Sequence, residues 1–157
     1  MSDERSAAMY RRILVPLDGS GTAERGLQEA LGLAKAFDSS LVLLHVIEYY
    51  PVMMEMATAT TWQQIGDDLR ERGQQVLERA HDQARAAGVA SEALIEDATA
   101  RVCDVIVEQA AKRQCDLIVM GTHGRRGVQH ALVGSDAERV LRMSPVPVLM
   151  VRAPGKD

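Results

Sequence analysis

The sequence predicts an α/β fold in which a parallel five-stranded sheet carries helices on both faces. Three observations lead there. Short unbroken apolar runs, at 13–17, 41–47, 117–120 and 146–151, recur along the chain, and a run without polar alternation suits a strand covered on both faces. Between these runs lie stretches whose apolar residues repeat at helical spacing. A glycine-rich segment then joins one strand directly to a helix start, an arrangement that presents backbone N–H groups to an anion.

Residues 1–10 read as a polar lead-in, and Ile13-Leu14-Val15-Pro16-Leu17 as the first strand. Pro16 lacks an N–H and sits at the strand's C-terminal end, where the chain leaves the sheet. Asp18-Gly19-Ser20 forms a turn, and Ser20 or Thr22 caps the next helix. That helix shows Leu27, Ala30, Leu31 and Ala34 at i, i+3, i+4 and i+7. Leu41 to Ile47 is the second strand.

The stretch from Glu48 to Thr61 has another texture. It holds Tyr49-Tyr50-Pro51, three methionines within 53–56 and a small polar run at 58–61, with no clean period. Such a stretch reads as an irregular loop or lid with at most a helical turn. Trp62 to Ala87 is helical, with Ile65, Leu69, Val76, Leu77, Ala80 and Ala84 on one side. Gly73 weakens it internally and Gly88 stops it. Ala93-Leu94-Ile95 is a thin third strand. Val102, Val105, Ile106 and Ala110 mark a third helix, Leu117–Met120 the fourth strand, residues 135–143 the last helix and Val146–Val151 the fifth strand. The order β-α-β-α-β-α-β-α-β implies right-handed crossovers around a parallel sheet. No repeat or linker divides the chain, so a single domain spanning 1–157 is expected, with its core at about 12–152.

Composition removes several function classes. A formal net charge of −4 supplies no basic field for nucleic acid. Aromatic residues are only 3%, too few for base-stacking platforms. No apolar run reaches the length of a membrane span, and the N-terminus lacks the apolar centre of a signal peptide. Cys103 and Cys115 make no disulfide framework and read as small apolar residues, which suits a reducing cytoplasm.

The chemistry concentrates between Cys115 and Val140. Gly121-x-x-Gly124, nine residues and then Gly134-Ser135 follow a strand and open a helix. Glycine lets backbone approach a ligand closely, and the helix start adds unpaired donors and the positive end of a dipole. Phosphate is the expected guest. The spacing is neither G-x-G-x-x-G nor the P-loop pattern, and the loop contains no lysine.

This G-2x-G-9x-G-[ST] spacing resembles the ATP-binding motif of the universal stress protein family. The resemblance runs from about Arg12 to Arg152, through RRILVPLDGS, LLHVIE, DLIVMGTHGRRG and SPVPVLMVR. It implies a doubly wound, Rossmann-like or flavodoxin-like sheet of strand order 3-2-1-4-5, a crevice between strands one and four, and a homodimer formed by the final strands, 146–151. It also implies ATP, or another adenine nucleotide, as ligand. On that likeness Asp18 stands near the ribose, Pro16 and the Val46 backbone beside adenine, and Met120 and Gly121 against adenine and ribose. Thr122, His123, Gly124, Arg125, Arg126 and Gly127 form the phosphate-side loop. Gly134, Ser135 and Asp136 grip the outer phosphates.

Each of these residues also has a plainer role. Asp18 accepts hydrogen bonds from ribose hydroxyls or caps its turn. Ser135 offers a hydroxyl and an N–H to phosphate, caps its helix, or does both. Of the two arginines at most one is expected to touch ligand. His123 bonds a phosphate or shapes the turn. His45 reads as a satisfied core histidine, and His81 and His130 have no ligand-spaced companions. The methionines at 53, 54 and 56 cover adenine or pack within their loop.

Two departures from the family pattern stand out. Asp136 replaces a small apolar or hydroxyl residue, so a triphosphate there requires a bridging Mg2+ or a carboxylate turned away. Asp97-Ala-Thr-Ala-Arg101 lacks the relatives' glycine and proline. No nucleophile is paired with a base and no residue is placed to orient an attacking water, so catalytic residues are not assigned. The expected function is a nucleotide-dependent sensor or regulator of stress responses with at most slow, incidental hydrolysis. The alternative is a dimeric interaction module of the same fold that binds no nucleotide; the intact glycine motif weighs against it. An enzyme acting on ATP would need an acidic metal-binding pair or a lysine at the loop, and only Asp18 and Asp136 are available.

Overall fold

The strands β1 (Arg12–Pro16), β2 (Ser40–Ile47), β3 (Ser91–Asp97), β4 (Leu117–Gly121) and β5 (Val148–Val151) form one sheet, in the order β3-β2-β1-β4-β5. Every pairing is parallel, with Ile13 opposite Leu41 on one side and Leu117 on the other. The computed structural model describes residues 9–49, 55, 58–123 and 133–152.

Alternation along each strand divides the core into two. Ile13, Val15, Leu41, Leu43, Leu117 and Val119 face the helices α1 (Gly21–Phe37) and α2 (Ala59–Ala86). Leu14, Val42, Leu44, Ile118 and Met120 face α3 (Val102–Lys112) and α4 (Ser135–Met143). The expected helices on both faces are therefore present. Ile13, Leu14, Val42 and Ile118 are fully buried, and each such side chain contributes about 1.5–3 kcal/mol of transfer free energy.

The end of the sheet away from the strands' carboxyl termini is tied by charge. The Asp116 carboxylate accepts the backbone N–H groups of Arg11 and Arg12 at 2.8 and 3.0 Å. Glu92 at the start of β3 pairs with both Arg12 and Arg113. Cys103 and Cys115 are buried. Burial pushes the Cys115 thiol up to about 11, so it packs as an apolar group at neutral pH.

Three elements differ from the sequence expectation. β3 is seven residues long rather than three, paired with β2 from Ser91 to Asp97. It is an edge strand of mostly half-buried residues, so its serine and acidic residues hide it from any reading based on apolar runs. α2 begins at Ala59, inside the stretch expected to be irregular. Thr58 is its N-cap, and its side chain accepts the Thr61 N–H at 3.3 Å. Half of the 48–61 stretch expected to be a loop or lid, residues 50–54, 56 and 57, lies outside the described residues. β5 begins at Val148, because Ser144 and Val146 are held in a local turn and the Pro147 carbonyl accepts from Ile118 at 3.0 Å. Gly88 follows α2 at φ 71°, the left-handed stop expected of it. Among the described residues no helix is long and apolar enough to cross a membrane.

Candidate functional site

β1 is the strand from which the sheet runs one way through β2 and the other way through β4. At such a reversal the crossovers leave in opposite directions and open a crevice beyond the strands' carboxyl ends. A cleft of about 600 Å³ occupies that place. Pro16, Asp18, Val46, Met120, Gly121, Thr122, His123, Gly134, Ser135 and Asp136 all line it. Gly124, Arg125, Arg126 and Gly127 lie outside the described residues.

The β1 wall is built by a tight exit from the sheet. Leu17 carries the pairing one bond beyond Pro16, its N–H reaching the Leu44 carbonyl at 2.8 Å. Gly19 then takes φ 83°, which a side chain would resist. Asp18 Oδ1 accepts the Ser20 N–H at 2.9 Å, and Ser20 Oγ accepts the Ala23 N–H at 3.1 Å to cap α1. Asp18 therefore does cap its turn, and it lines the cleft as well.

The β4 wall depends on Thr122. Its side chain is buried, its N–H donates to the Val151 carbonyl at 2.9 Å, and its own carbonyl accepts the Gly134 N–H at 2.6 Å. This last bond closes the base of the glycine loop. Thr122 Oγ1 lies 3.1 Å from His123 Nδ1, consistent with a turn-shaping role for that histidine.

Gly134 occupies the N-cap position of α4, with φ −69° and ψ 160° and no side-chain cap bond. Ser135 is the first helical residue rather than the cap. Since the Gly134 N–H is spent on Thr122, the first-turn donors available to a ligand begin with Ser135. Asp136 and Glu138 lie in that same turn. They favour the helix dipole but place negative charge where an anion would approach.

Sequence reasoning missed the cleft's other charged groups. Arg72 of α2, Arg101 before α3, and Arg139 and Arg142 of α4 all line it. No local pattern in the sequence distinguishes them from other surface charges. Val102 and Ile106, assigned only to a helix stripe, also reach the cleft. His45 is a buried core histidine as expected, its Nδ1–H donating to the Leu17 carbonyl at 2.7 Å, and the residue also lines the cleft. Among the described residues, no group of three His, Cys, Asp or Glu side chains is placed to hold a metal ion.

Fold and cleft define the class: a doubly wound α/β protein with a ligand-sized cleft at the reversal of its sheet. Residues 9–152 match the universal stress protein family, and the chain belongs to it. It is 35% identical to Universal stress protein MJ0531 of Methanocaldococcus jannaschii, over 95% of this chain and 86% of that protein. Among solved structures it is similar to the hypothetical protein MJ0577, with a TM-score of 0.84 and 28% identity, covering 94% of this chain and 99% of that one. It is also similar to a universal stress protein solved in complex with cAMP, with a TM-score of 0.62 and 26% identity, covering 92% and 98%.

Proposed function

We propose that the chain binds an adenine nucleotide, ATP foremost, in the β1–β4 cleft, and acts as a nucleotide-dependent sensor or regulator of stress responses with little or no turnover. The observation that carries this reading is convergence. Pro16 and Asp18, Val46, Met120 to His123, and Gly134 to Asp136 come from distant parts of the chain and line one cleft. The cAMP complex of a relative supports an adenine ligand. Pro16, Val46 and Met120 supply apolar wall for the base. Asp18 suits ribose, and the α4 start with Ser135 suits phosphate. Asp136 beside Ser135 provides one carboxylate, which is enough for a Mg2+ whose other ligands are phosphate oxygens and water. Triphosphate affinity is then metal-dependent.

Protein purified without added nucleotide is expected to release adenine nucleotide on denaturation, or to bind ATP saturably in calorimetry and more tightly with Mg2+. No released nucleotide and no binding, with or without Mg2+, would overturn the reading and leave a dimeric interaction module.

The same reading includes a homodimer formed through residues 146–151. β5 is an edge strand, and Leu141, Met143 and Leu149 around it are exposed. An open apolar edge invites pairing with another strand. Leu149→Lys is expected to convert a dimer to a monomer in light scattering at micromolar concentration. A monomeric parent, or a variant as dimeric as the parent, would remove β5 from the interface.

A further inference from the structure

We infer that Arg101 and Arg139 hold the ligand's anionic group against the α3–α4 wall of the cleft, a contact made by residues outside the glycine motif. The inference rests on the nucleotide reading above and assigns its phosphate recognition.

Four arginines line the cleft, and pairing together with place in the fold separates them. Arg142 is taken by Glu138 at 2.8 Å, an ordinary i,i+4 bridge along α4. Arg72 comes from α2, on the other face of the sheet. Among the described residues Arg72, Arg101 and Arg139 form no ion pair, and of these only Arg101 and Arg139 stand on the α3–α4 side of the sheet. Arg139 lies three residues beyond Asp136 on the same helix, a spacing at which bridges form, yet the two are not bridged.

Arg101 and Arg139 share a wall. Arg101 is the N-cap residue of α3, which places its side chain at the start of that helix, at the cleft. α3 and α4 bury Cys103, Ile106, Ala137 and Val140 in one cluster on one sheet face. The Cys103 thiol, raised chiefly by burial, is raised further by Asp104 and Asp136 and lowered by Arg139. Arg101 and Val102 at the start of α3 and Asp136 and Arg139 of α4 line the same cleft.

Electrostatics gives this pair a task. Asp136 and Glu138 put two carboxylates in the first turn of α4. A phosphate chain needs cations there, and Glu138 already occupies Arg142. Guanidinium groups give charge-assisted bonds to phosphate oxygens in a planar fork, which an exposed side chain makes without paying for prior burial. Arg101 and Arg139 are both exposed.

The test is calorimetric titration of adenosine and of ATP into the wild type, Arg101→Gln and Arg139→Gln. Each variant is expected to bind ATP roughly tenfold more weakly while adenosine affinity stays within about twofold. Because both side chains are exposed, melting temperatures should be unchanged. Undiminished ATP affinity in both variants, or equal losses for adenosine and ATP, would overturn the assignment and leave the nucleotide reading intact. A wild type that binds neither compound would overturn the nucleotide reading itself, and this assignment with it.

Discussion

Gly121→Ala is expected to cost about 3 kcal/mol of folding stability, at the upper end for a small core enlargement. A Cβ at this position would lie 2.6 Å from Thr22 Cγ2 and 2.9 Å from both the carbonyl carbon and oxygen of Thr22. The methyl could rotate away, but the backbone could not. Thr22 belongs to the first turn of α1, held by the Ser20 cap, and Gly121 is paired with Val151 in the sheet. Relief requires α1 and β4 to separate. Gly26, one turn further along α1, opposes Gly121 from the helix side, its own Cβ position 3.4 Å from the Gly121 nitrogen. Urea denaturation measures the loss directly. A midpoint equal to that of the parent would show that the helix slides freely over β4 and that the close approach carries no energy.

Gly73→Ala is expected to lose about 2 kcal/mol, even though alanine in a helix interior is intrinsically better than glycine by about 1 kcal/mol. The added methyl would lie 2.5 Å from His45 Cδ2, 2.9 Å from His45 Nε2 and 3.0 Å from Ile95 Cδ1. The imidazole cannot simply turn aside, because its Nδ1–H is bonded to the Leu17 carbonyl at 2.7 Å. Displacing it disturbs the chain just before Asp18, at the cleft wall. Gly32 is the control. It is an exposed α1 residue whose Cβ would meet nothing within 4 Å, so Gly32→Ala should show the propensity gain alone. If Gly73→Ala stabilises as much as Gly32→Ala, α2 has room to relax and the packing argument fails.

These two glycines show where sequence reading stops. Gly121 is legible as part of a ligand loop, yet its tightest constraint is the passage of α1 against β4. Gly73 reads as a weak point in a long helix, whereas it is where that helix comes down on His45. In both cases the deciding atom belongs to a residue more than twenty positions away, which no local pattern contains. β3 tells the same story in reverse. Its identity as a strand comes from seven consecutive pairings with β2, not from its own apolar content.

By itself the sequence determined the order of strands and helices, the apolar faces and the place of the glycine loop. Those properties are local: side-chain period, turn chemistry and cap residues act within a few positions of one another. Strand order entered only through the family resemblance, and the sheet bears it out. Only the tertiary structure decided which helix charges surround the cleft, that Gly134 rather than Ser135 is the helix cap, and that Gly73 is required by packing. The physical reason is common to all three: parallel crossovers bring residues from α2, α3 and α4 to one end of the sheet, and the distances between them are set by packing rather than by spacing along the chain.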